Sequence, residues 1–577
     1  MAGATAFGLN AQSFAGGAGT ASDPWQVATA EQLKAVNDFP TAYFIQTADI
    51  DLDGAEWQPM CGSKETSFKG VYDGNGKAIL GLSITSGANG AGLFGIMHTP
   101  GVIRNVTIVG AEVVAGNWSG ILVGTNGNWE VAGGTVENCA VFNSQIDGAD
   151  CIGGIAGVDG GDIKDCRVIN CDIMGSADNC GGVVGTNEQP CEISGNVFSG
   201  TVQTLMNAGG IQGHCASNAV LKNNMSYGSA MNNTSDNKGV AGIVGYKNNN
   251  STLYHCGSAM DLEGTNAGGI SGPTMNDVYD CFATGNIKTS YPEGGNPWCG
   301  GITAAEYDGT LSNSYFSGTI QGGGWNGGVT GRAWPTLVVT NCYWNADGVS
   351  AGSNGVGGAV VGDKEGAPET WTYTALTPAQ MLQSSSFKNL SSDVWQQIDG
   401  GTTPFFVDQA APLVPAETNE AKTYIAGTYY GNDVPTEIWV IGATSGGKAP
   451  YYYKSFEAGE GKWAIELDEE DALLDNEYVT VISYVKGKMS SLPAKVAVKD
   501  LKLTDGLQAV GIDPEAAKLS VEGNIVTVPG GAATNVYTVS GMMVQSYTGA
   551  ETIDLSNLGQ GIYVVRTATD AAKVLVK

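Results

Sequence analysis

The sequence predicts an all-β protein: a right-handed, three-sided parallel β-solenoid over the first two-thirds, then a small β-sandwich and a second small all-β domain. Three observations carry this prediction. Glycine supplies 86 of 577 residues, while 15% of residues are charged and 42% are hydrophobic, which is typical of tightly turned β-structure with a buried core. A short glycine motif recurs at regular spacing, and strand-like runs alternate along the last third of the chain.

The repeated unit is Gly-Gly-hydrophobic-x-Gly, and successive copies lie 27 to 33 residues apart. Each copy is followed by a short strand that ends at an Asn, Asp or His, such as Asn138 before Cys139 or Asn196 before Val197, and then by a third strand. Three strands per period predict one three-sided rung, and rungs must stack, about 4.8 Å apart, to bury their apolar residues. The nine copies end at Gly95, Gly124, Gly157, Gly185, Gly213, Gly245, Gly272, Ala304 and Gly331.

Most of the 12 cysteines fall into two columns of the aligned repeats. We predict that these thiols are free and fill the core as small apolar side chains. The alternative is a disulfide, for which Cys166 with Cys171 and Cys151 with Cys180 are the candidate pairs. A column of asparagines is expected to satisfy backbone groups at a turn. The first cysteine column is Val106, Cys139, Cys166, Val197, Cys256, Cys281 and Cys342; the second is Cys180, Ala208, Ala241, Ala267 and Cys299; the asparagine column is Asn179, Asn207 and Asn266.

These Gly-[Leu/Ile/Val]-x-Gly units resemble the GLUG repeats of bacterial surface proteins, adhesins and some immunoglobulin-cleaving peptidases. The flanks resemble the same family: residues 19–52 its lead-in, Phe68–Gly76 its first turn, and Leu376–Phe405 its closing segment. The resemblance covers residues 16–408 and implies a solenoid with a cap at each end. Glu31–Val36 is predicted to be a short helix that plugs the open N-terminal end.

The remaining segments predict an exported, multidomain protein. Residues 1–15 resemble the remnant of a signal peptide. Residues 409–419 are rich in Pro and Ala and predict a linker, and residues 420–503 predict a β-sandwich of immunoglobulin or fibronectin type III. Residues 504–577 resemble the C-terminal sorting domain of the type IX secretion system, which implies that this machinery is a partner and that the protein is secreted or held at the outer-membrane cell surface.

The acidic balance of the chain excludes one class of partner. The 57 acidic residues outnumber the 27 basic ones, which gives a formal net charge of -30. Nucleic-acid binding requires clustered cations and is therefore not expected. No stretch approaches the 18 or more apolar residues of a membrane span, so we expect none.

Motifs for catalysis and metal binding are missing. The three histidines are His98, His214 and His255, and none lies in the H-E-x-x-H pattern of a zinc peptidase. The last two each precede a cysteine in the repeat, which predicts corner or core packing. A serine or cysteine triad would also require a histidine, and no G-x-S-x-G elbow is present. We expect no enzyme, no cofactor and no metal.

One carboxylate cluster is the alternative to that expectation. Solenoids that cleave polysaccharides use two or three carboxylates on adjacent rungs. Asp159, Asp162 and Asp165 lie close together in the sequence, although no column of Asp or Glu repeats across three rungs. The competing interpretation is that these residues are solvated acids at turns.

Aromatic residues concentrate between positions 291 and 344 and favour a binding function. Trp298 and Trp325 share a repeat column, so their rings are expected on neighbouring rungs, and Trp334 and Tyr307 complete the candidate ligand-binding set. The alternative is packing under loops or the cap. We predict an adhesin-like protein that binds an extracellular glycan or a host or bacterial surface protein; a polysaccharide lyase or glycoside hydrolase and a structural stalk are the alternatives.

Overall fold

The computed structural model describes residues 14–576 except for 234–237, 249–250, 275–276, 290–296, 323, 335, 350–356, 363–369, 431–433, 443–460, 468, 470–471, 505–518, 529–530, 532–533, 539–542, 548 and 568–570. Strand accounts for 51% of the protein and helix for 4%. A parallel solenoid of about 10 turns is followed by small antiparallel sheets, which confirms the predicted fold class. Most of the predicted signal-peptide remnant, 1–15, lies outside the described residues.

Three parallel sheets run the length of the solenoid. A 17-stranded sheet from Phe94–Met97 to Gly357–Gly362 contains the glycine motifs and is called the glycine sheet. A second 17-stranded sheet runs from Ile50–Asp51 to Tyr373–Leu376, and we call it the covered sheet. The third sheet has 12 strands, from Trp25–Val27 to Val338–Thr340. The three sheets correspond to the three predicted faces.

One rung shows how the faces are built. Ser119–Gly120 and Val123–Asn126 lie in the glycine sheet, Thr135–Glu137 in the third sheet, and Ala140–Phe142 and Gln145–Gly148 in the covered sheet. In this rung two faces carry a strand broken in two, whereas the repeat predicts a single strand per face. The next rung has the predicted single strand on the covered sheet, Arg167–Gly175. Equivalent residues of successive copies are paired, so the register follows the aligned repeat. The paired positions are Gly120, Gly153, Gly181, Gly209, Ala241, Gly268, Gly300 and Gly327.

Each of the three glycines of a copy lies so close to a neighbouring group that a side chain would clash with it. A Cβ atom on Gly153 would lie 2.2 Å from the carbonyl oxygen of Ala156 in the same rung. One on Gly154 would lie 2.6 Å from a methyl group of Val168, which crosses the interior from the covered sheet. One on Gly157 would lie 2.2 Å from the backbone nitrogen of Ser119 in the preceding rung. The motif is thus a consequence of a narrow, filled interior.

The corner between the third and covered sheets explains the recurring Asn, Asp or His. Eight of these corner residues adopt a left-handed conformation, with φ between 47° and 57°, which Asn and Asp tolerate better than most residues. Neighbouring corners are bonded through their side chains, as where Asn138 Nδ2 donates to Asn105 Oδ1 at 2.7 Å. The eight are Asn105, Asn138, Asp165, Asn223, His255, Asp280, Asn313 and Asn341.

Two rungs depart from the predicted alignment. In one, Val240 occupies the second cysteine column in place of Ala241, because Val240 pairs with Ala208 and Ala267 whereas Ala241 pairs with glycines.

The other departure is at a corner. Gly195, with φ of 68°, occupies the corner instead of Asn196. Asn196 is therefore the member of the cysteine column, where it is fully buried and donates to the Ile163 carbonyl at 3.0 Å. Val197 begins a strand of the covered sheet and does not belong to the cysteine column. The alignment is shifted by one residue because glycine takes the left-handed corner as readily as asparagine.

All 12 cysteines are free, and 11 of them are buried. Six of the thiols lie against the backbone carbonyl two residues back, as between Cys256 and Tyr254 at 3.3 Å. This confirms their role as core filler, and neither candidate disulfide is formed. Two of the three predicted asparagines stack, since Asn207 Nδ2 donates to Asn179 Oδ1 at 2.8 Å. Asn266 lies two rungs beyond Asn207, where its Oδ1 accepts from the Trp298 backbone at 3.0 Å.

The two ends of the predicted solenoid segment behave differently. A helix at Ala30–Ala35, followed by a 3-10 turn at Val36–Asp38, buries Leu33 and Val36 at the N-terminal end, within a residue of the predicted plug. Residues 376–408, here called the closing segment, contain a helix at Pro378–Met381, a 3-10 turn at Ser384–Ser386, and strands at Trp395–Gln396 and Phe405–Phe406. Their apolar side chains pack on the outer face of the covered sheet.

None of the helices in the described residues has the length and hydrophobicity of a membrane-spanning helix.

The chain after the solenoid forms two small antiparallel units. The first unit is a sandwich whose two sheets share one core. Its first strand, Leu413–Thr418, lies within the predicted linker, because Leu413 is buried in that core. The other strands of this sandwich are Tyr424–Tyr429, Glu437–Gly442, Lys462–Glu466, Tyr478–Tyr484, Ala494–Ala497 and Lys502–Leu503.

The second unit has its own core, which includes Val536, Tyr563 and Val574. It consists of a three-stranded and a four-stranded sheet. The first contains Ser520–Glu522, Ile525–Thr527 and Thr552–Asp554; the second contains Thr534–Thr538, Met543–Tyr547, Gly561–Arg566 and Ala571–Val576.

Candidate ligand-binding face

The candidate site lies on the outer surface of the glycine sheet, which we call the open face. Two columns of register-paired residues run along this side of the sheet, and some of their members, such as Cys151, Asn207 and Ala305, are buried. The edge column comes just before the glycine pair and includes Trp118, Cys151, Asn179, Asn207, Asn266, Trp298 and Trp325. The central column is Ile96, Thr125, Val158, Thr186, His214, Tyr246, Pro273, Ala305 and Arg332.

The structure brings together three of the four predicted ligand-binding residues. The rings of Tyr307 and Trp334 are stacked with centroids 4.0 Å apart, and Trp298 meets Trp334 edge to face at 6.1 Å. Trp325 is the register partner of Trp298, as the shared repeat column predicted. We call Trp298, Tyr307 and Trp334 the aromatic cluster.

Arg332 is built into the aromatic cluster. Its guanidinium carbon lies 4.3 Å from the ring centroid of Trp334 and 5.0 Å from that of Trp298, which is cation–π geometry. Trp298 is only 9% exposed, whereas Tyr307 and Trp334 are half-buried. The rings of the cluster are therefore only partly accessible to a ligand.

The aromatic strip continues beyond the predicted residues. Tyr246 lies 5.6 Å from His214, ring centroid to centroid, and the Lys238 ammonium lies 5.2 Å above the Tyr246 ring. Burial, reinforced by the Lys238 charge, lowers the pKa of His214 to about 4, so its imidazole is neutral at physiological pH. From His214 to Arg332 the central column crosses four rung spacings, or about 19 Å.

Burial also determines the protonation state of the Tyr307 hydroxyl in the aromatic cluster. It raises the pKa of Tyr307 above its ordinary value, and neighbouring Tyr246 adds to the effect. The phenol therefore stays protonated and serves as a hydrogen-bond donor. With Arg332 beside it, this end of the open face is suited to ligands rich in hydrogen-bond acceptors.

The alternative carboxylate cluster does not converge on a common point. Asp159 is fully buried, and its Oδ1 accepts from Asn126 Nδ2 at 2.7 Å. Asp162 lies on the third sheet, where Lys164 Nζ is 2.9 Å from its Oδ2. Asp165 occupies an exposed left-handed corner. Three residues three positions apart are thus distributed over an interior column, an ion pair and a turn.

The environment of Asp159 is unusual because a carboxyl group stands in a column of amides. Asn126 and Asn187 are its register neighbours on the two adjacent rungs. Burial raises the pKa of Asp159 to about 7, against the lowering effect of its hydrogen bonds. A raised carboxyl pKa suits a general acid, but this group is enclosed in the interior.

The remaining histidines have structural contacts. His255, at a corner as predicted, stacks on Phe406 at 3.8 Å and its Nε2 lies 2.8 Å from Asp408 Oδ1. His214 differs from the prediction, since it lies half-buried on the open face. Within the described parts of the chain, no three His, Cys, Asp or Glu side chains are grouped so that they would hold a metal ion.

Comparison with known proteins gives partial matches. No family model matches the chain. A stretch of 154 residues is 33% identical to Halomucin of Haloquadratum walsbyi, and the match covers 24% of this chain and 2% of that protein. A stretch of 124 residues is 32% identical to a "Putative Gly-rich membrane protein" of Evansella cellulosilytica, and covers 20% of this chain and 14% of that one. The chain therefore spans a small part of the curated relatives it matches.

Among solved structures, the crystal structure of "a putative immunoglobulin A1 protease from Bacteroides ovatus" aligns with this chain. The alignment has 19% sequence identity and a TM-score of 0.38, and covers 68% of this chain and 95% of the other. Membership of the GLUG family and the type IX sorting domain stay predictions.

Sequence reasoning missed Arg332, Tyr246 and the open-face position of His214. All three occupy one repeat column, directly after the last glycine of a copy. The residue after that column is buried, as Cys215 and Ala333 are, so the column itself faces outward. Reading the alignment by column, rather than by local aromatic density, would have found them.

Proposed function

We propose that this protein is an extracellular, adhesin-like solenoid that binds a glycan or protein ligand on its open face and is not an enzyme. The observation that carries the proposal is the half-exposed aromatic strip, which includes Tyr246, Tyr307 and Trp334. Comparable rings on the covered sheet are fully packed under the closing segment, whereas these are left at the surface.

A stacked solenoid favours such a role. Each strand of the glycine sheet is bonded to the rungs on both sides, so the aromatic strip is held on a rigid support. A rigid, preorganised surface loses little entropy when it binds. Half-buried Tyr and Trp supply apolar contact together with hydrogen-bond donors.

An extracellular location is supported by the partial matches, whose names refer to a mucin and to a membrane protein. The net charge of -30 favours solubility of an exported protein. The resemblance of residues 504–577 to a sorting domain adds the type IX secretion machinery as the proposed partner for export.

The two other functions have less support. A polysaccharide lyase or glycoside hydrolase needs converging carboxylates, whereas Asp159, Asp162 and Asp165 have separate environments. A pure stalk would need no aromatic strip at the surface, although the solenoid also serves as a spacer.

The test is a binding screen of the full chain against a glycan array and extracellular surface proteins. We expect at least one ligand whose affinity falls about tenfold or more, 1.4 kcal/mol, in Tyr307→Ala and Trp334→Ala. Tyr43→Ala is the matched control, because Tyr43 is 37% exposed on the third sheet. Retained affinity in both cluster variants would overturn the site.

Catalysis is tested on the same protein by product analysis with acidic polysaccharides. We expect no cleavage. Cleavage that disappears in Asp159→Asn or Asp162→Asn would replace the binding proposal with the lyase.

A further inference from the structure

Two neighbouring rungs toward the C-terminal end of the solenoid have an unusually polar interior. They place five side-chain oxygen atoms in the core that have no hydrogen-bond partner in the protein. The residues that carry them are 0% exposed, so bulk water does not reach them. A buried polar group without a partner costs free energy, and native folds rarely accumulate several in one place. The five atoms are Ser271 Oγ, Thr274 Oγ1, Thr303 Oγ1, Glu306 Oε1 and Glu306 Oε2.

Strand register brings these side chains together. Ser271 pairs with Thr303, and Thr274 pairs with Glu306, so two adjacent rungs each supply two of them. Both columns face the interior, and Val244, the partner of Ser271 on the preceding rung, belongs to the apolar core. Rungs lie about 4.8 Å apart, so one small molecule is able to contact groups on both. We call the four polar residues the polar core group.

A buried lysine approaches the polar core group from the preceding rung. Lys247 is 1% exposed and lies three residues after Val244, as Thr274 does after Ser271. Its Nζ lies 3.4 Å from the carbonyl oxygen of Asp277, which belongs to the next rung. The lysine side chain therefore extends toward the polar core group.

Lys247 and Glu306 do not meet directly. Their Cα atoms are two rung spacings apart, about 9.6 Å. Because neither carboxyl oxygen of Glu306 has a hydrogen-bond partner, the Lys247 ammonium does not reach them. The space between the two charged groups is bordered by the hydroxyl of Thr274, which also has no partner.

The two buried groups nevertheless influence each other's protonation. Burial lowers the pKa of Lys247, and the Glu306 charge opposes that change. Burial raises the pKa of Glu306 well above its ordinary value, and the Lys247 charge opposes that change. The pair has no net charge when both groups are ionised, and none when one proton passes from the amine to the carboxylate.

Earlier rungs bond their interior polar groups differently. Asp159 accepts from Asn126 Nδ2 at 2.7 Å, and Gln212 Nε2 donates to Asn187 Oδ1 at 2.8 Å, in each case across adjacent rungs. Amide side chains thus give these groups at least one partner. The polar core group contains no amide, and none of its side-chain oxygens has a protein partner.

We propose that this part of the core binds a sealed cluster of ordered water molecules that links Lys247 to Glu306 through the hydroxyls of the polar core group. Water accepts from an ammonium and donates to a carboxylate, and it does either with a hydroxyl. A buried water molecule makes about three hydrogen bonds. The carboxyl of Glu306, the three hydroxyls and the Lys247 ammonium supply partners for several.

Charge and polarity select water over other small ligands. A bound cation would add to the charge of Lys247 in a core of low dielectric constant, and an anion would add to that of Glu306. An apolar molecule would leave all five oxygens unpaired. A small neutral molecule that both donates and accepts satisfies the charges and the hydroxyls together.

Isosteric removal of single hydroxyls distinguishes a hydrated core from a dry one. Thr274→Val and Thr303→Val keep the side-chain shape in the full chain. If the hydroxyls are bonded to water, each variant should lower the thermal midpoint by roughly 2 °C. If they are unpaired in a dry core, each should raise it, because a buried group without a partner is removed. A rise in both variants would overturn the proposal.

Thr330→Val is the matched control for these two variants. Thr330 is the register partner of Thr303 on the next rung, and its hydroxyl donates to the Arg332 carbonyl at 3.0 Å. Its loss removes a bonded hydroxyl in either case, so the thermal midpoint should fall whether or not the polar core group is hydrated.

Deuteron relaxation dispersion of the solvent counts long-lived internal water molecules directly. We expect at least one more in the parent protein than in Lys247→Met/Glu306→Met, in which apolar side chains of similar length replace the pair. Far-UV circular dichroism checks that the variant is folded, and Thr303→Val gives the same comparison if it is not. Equal counts in two folded proteins would overturn the proposal.

Ion exchange tests the competing occupant. We expect the same thermal midpoint in sodium, potassium and choline chloride at equal ionic strength, and no change on addition of calcium or a chelator. A midpoint that rises with one cation, and loses that response in Glu306→Gln, would assign the site to that ion and overturn the water cluster.

Discussion

The outer faces of the covered sheet and of the glycine sheet both carry aromatic columns, but only one is left open. On the covered sheet, Phe282 and Tyr315 are stacked at 5.6 Å and are fully buried under the closing segment, where Phe406 lies 5.2 Å from Phe282. On the glycine sheet, Tyr307 and Trp334 are stacked at 4.0 Å and remain half-buried. The same motif therefore serves as core in one place and as surface in another.

What decides between the two is the chain that follows the solenoid. Residues 376–408 and the sandwich lie along the covered sheet, where Tyr227 donates to the Ser491 carbonyl at 2.7 Å. An aromatic column on a solenoid therefore indicates binding only where no later segment packs on it. The difference between the two faces is testable in four ways.

The largest expected effect is on stability of the covered side. Phe282→Ala and Tyr315→Ala should each cost about 3–5 kcal/mol, because a large ring is removed from a closed core. Trp334→Ala on the open face should cost about 1 kcal/mol or less, since its ring is partly solvated. Thermal and urea unfolding of the three variants measures the difference. Equal losses on both faces would remove the distinction between them.

The second effect is a pH dependence of stability that arises from Asp159, which is buried in the interior of the solenoid. The Asp159 carboxyl has its ordinary pKa of 3.8 when unfolded and about 7 in the fold. Between these values the folded state holds a proton that the unfolded state lacks. The contribution of Asp159 to the free energy of unfolding is therefore present at pH 4 and is lost as pH rises to 7. The loss is at most about 1.4 kcal/mol per pH unit.

Asp159→Asn tests that sign, because the amide carries no charge and continues the column of Asn126 and Asn187. The variant should be more stable than the parent protein at pH 7.5 and about equal at pH 4, as followed by thermal unfolding across this range. A variant that is less stable at pH 7.5 would contradict the raised pKa.

The third effect concerns the contact between the covered sheet and the sandwich. Arg167 Nη1 donates to both carboxylate oxygens of Glu437 at 2.9 Å, and Trp439 Nε1 donates to the same group at 3.0 Å. Glu437→Ala should cost about 1–3 kcal/mol, because a largely buried guanidinium loses its carboxylate.

Limited proteolysis of the sandwich is the measurement for that variant, and we expect faster cleavage. Glu466→Ala is the matched control, since its 3.8 Å pair with Arg566 is exposed and worth little. Similar cleavage rates for the two variants would show that the sandwich is not held by this ion pair.

The smallest expected effect is on the thiols, which lie between the two faces. Burial raises the pKa of Cys61 and Cys171 to about 12, so neither forms a reactive thiolate near neutral pH. A thiol reagent should label almost none of the 12 cysteines in the folded chain and all of them in denaturant. Rapid labelling of several thiols without denaturant would contradict the closed interior.

Much of this fold was predictable because the same residue pattern recurs in nine copies along the chain. The glycine register, free cysteine column and asparagine stack each follow from aligned positions, and two exceptions, at Gly195 and at Ala241, each shifted one rung by one residue. The open face was less predictable. Tyr315 and Tyr307 lie eight positions apart and are equally aromatic, yet coverage by residues 376–408 separates them, and that contact has no local signal.

The candidate site could be predicted in part for the same reason. The pairing of Trp298 with Trp325 follows from the repeat period. The insertion of Arg332 between two tryptophans depends on the side-chain packing of two neighbouring rungs. The separation of Asp159 from Asp162 depends on where a strand turns from one sheet to the next. Neither arrangement can be deduced from the spacing of residues along the chain.

The left-handed corners give the solenoid an evolutionary freedom. Each of the nine repeat copies supplies its own corner residue and its own glycine motif, and its backbone bonds reach only the rungs beside it. Duplication or deletion of one 27- to 33-residue unit therefore preserves every remaining ladder and changes the length by about 4.8 Å. Gain or loss of repeat units therefore changes the length of the solenoid in equal steps, without any change to its two ends.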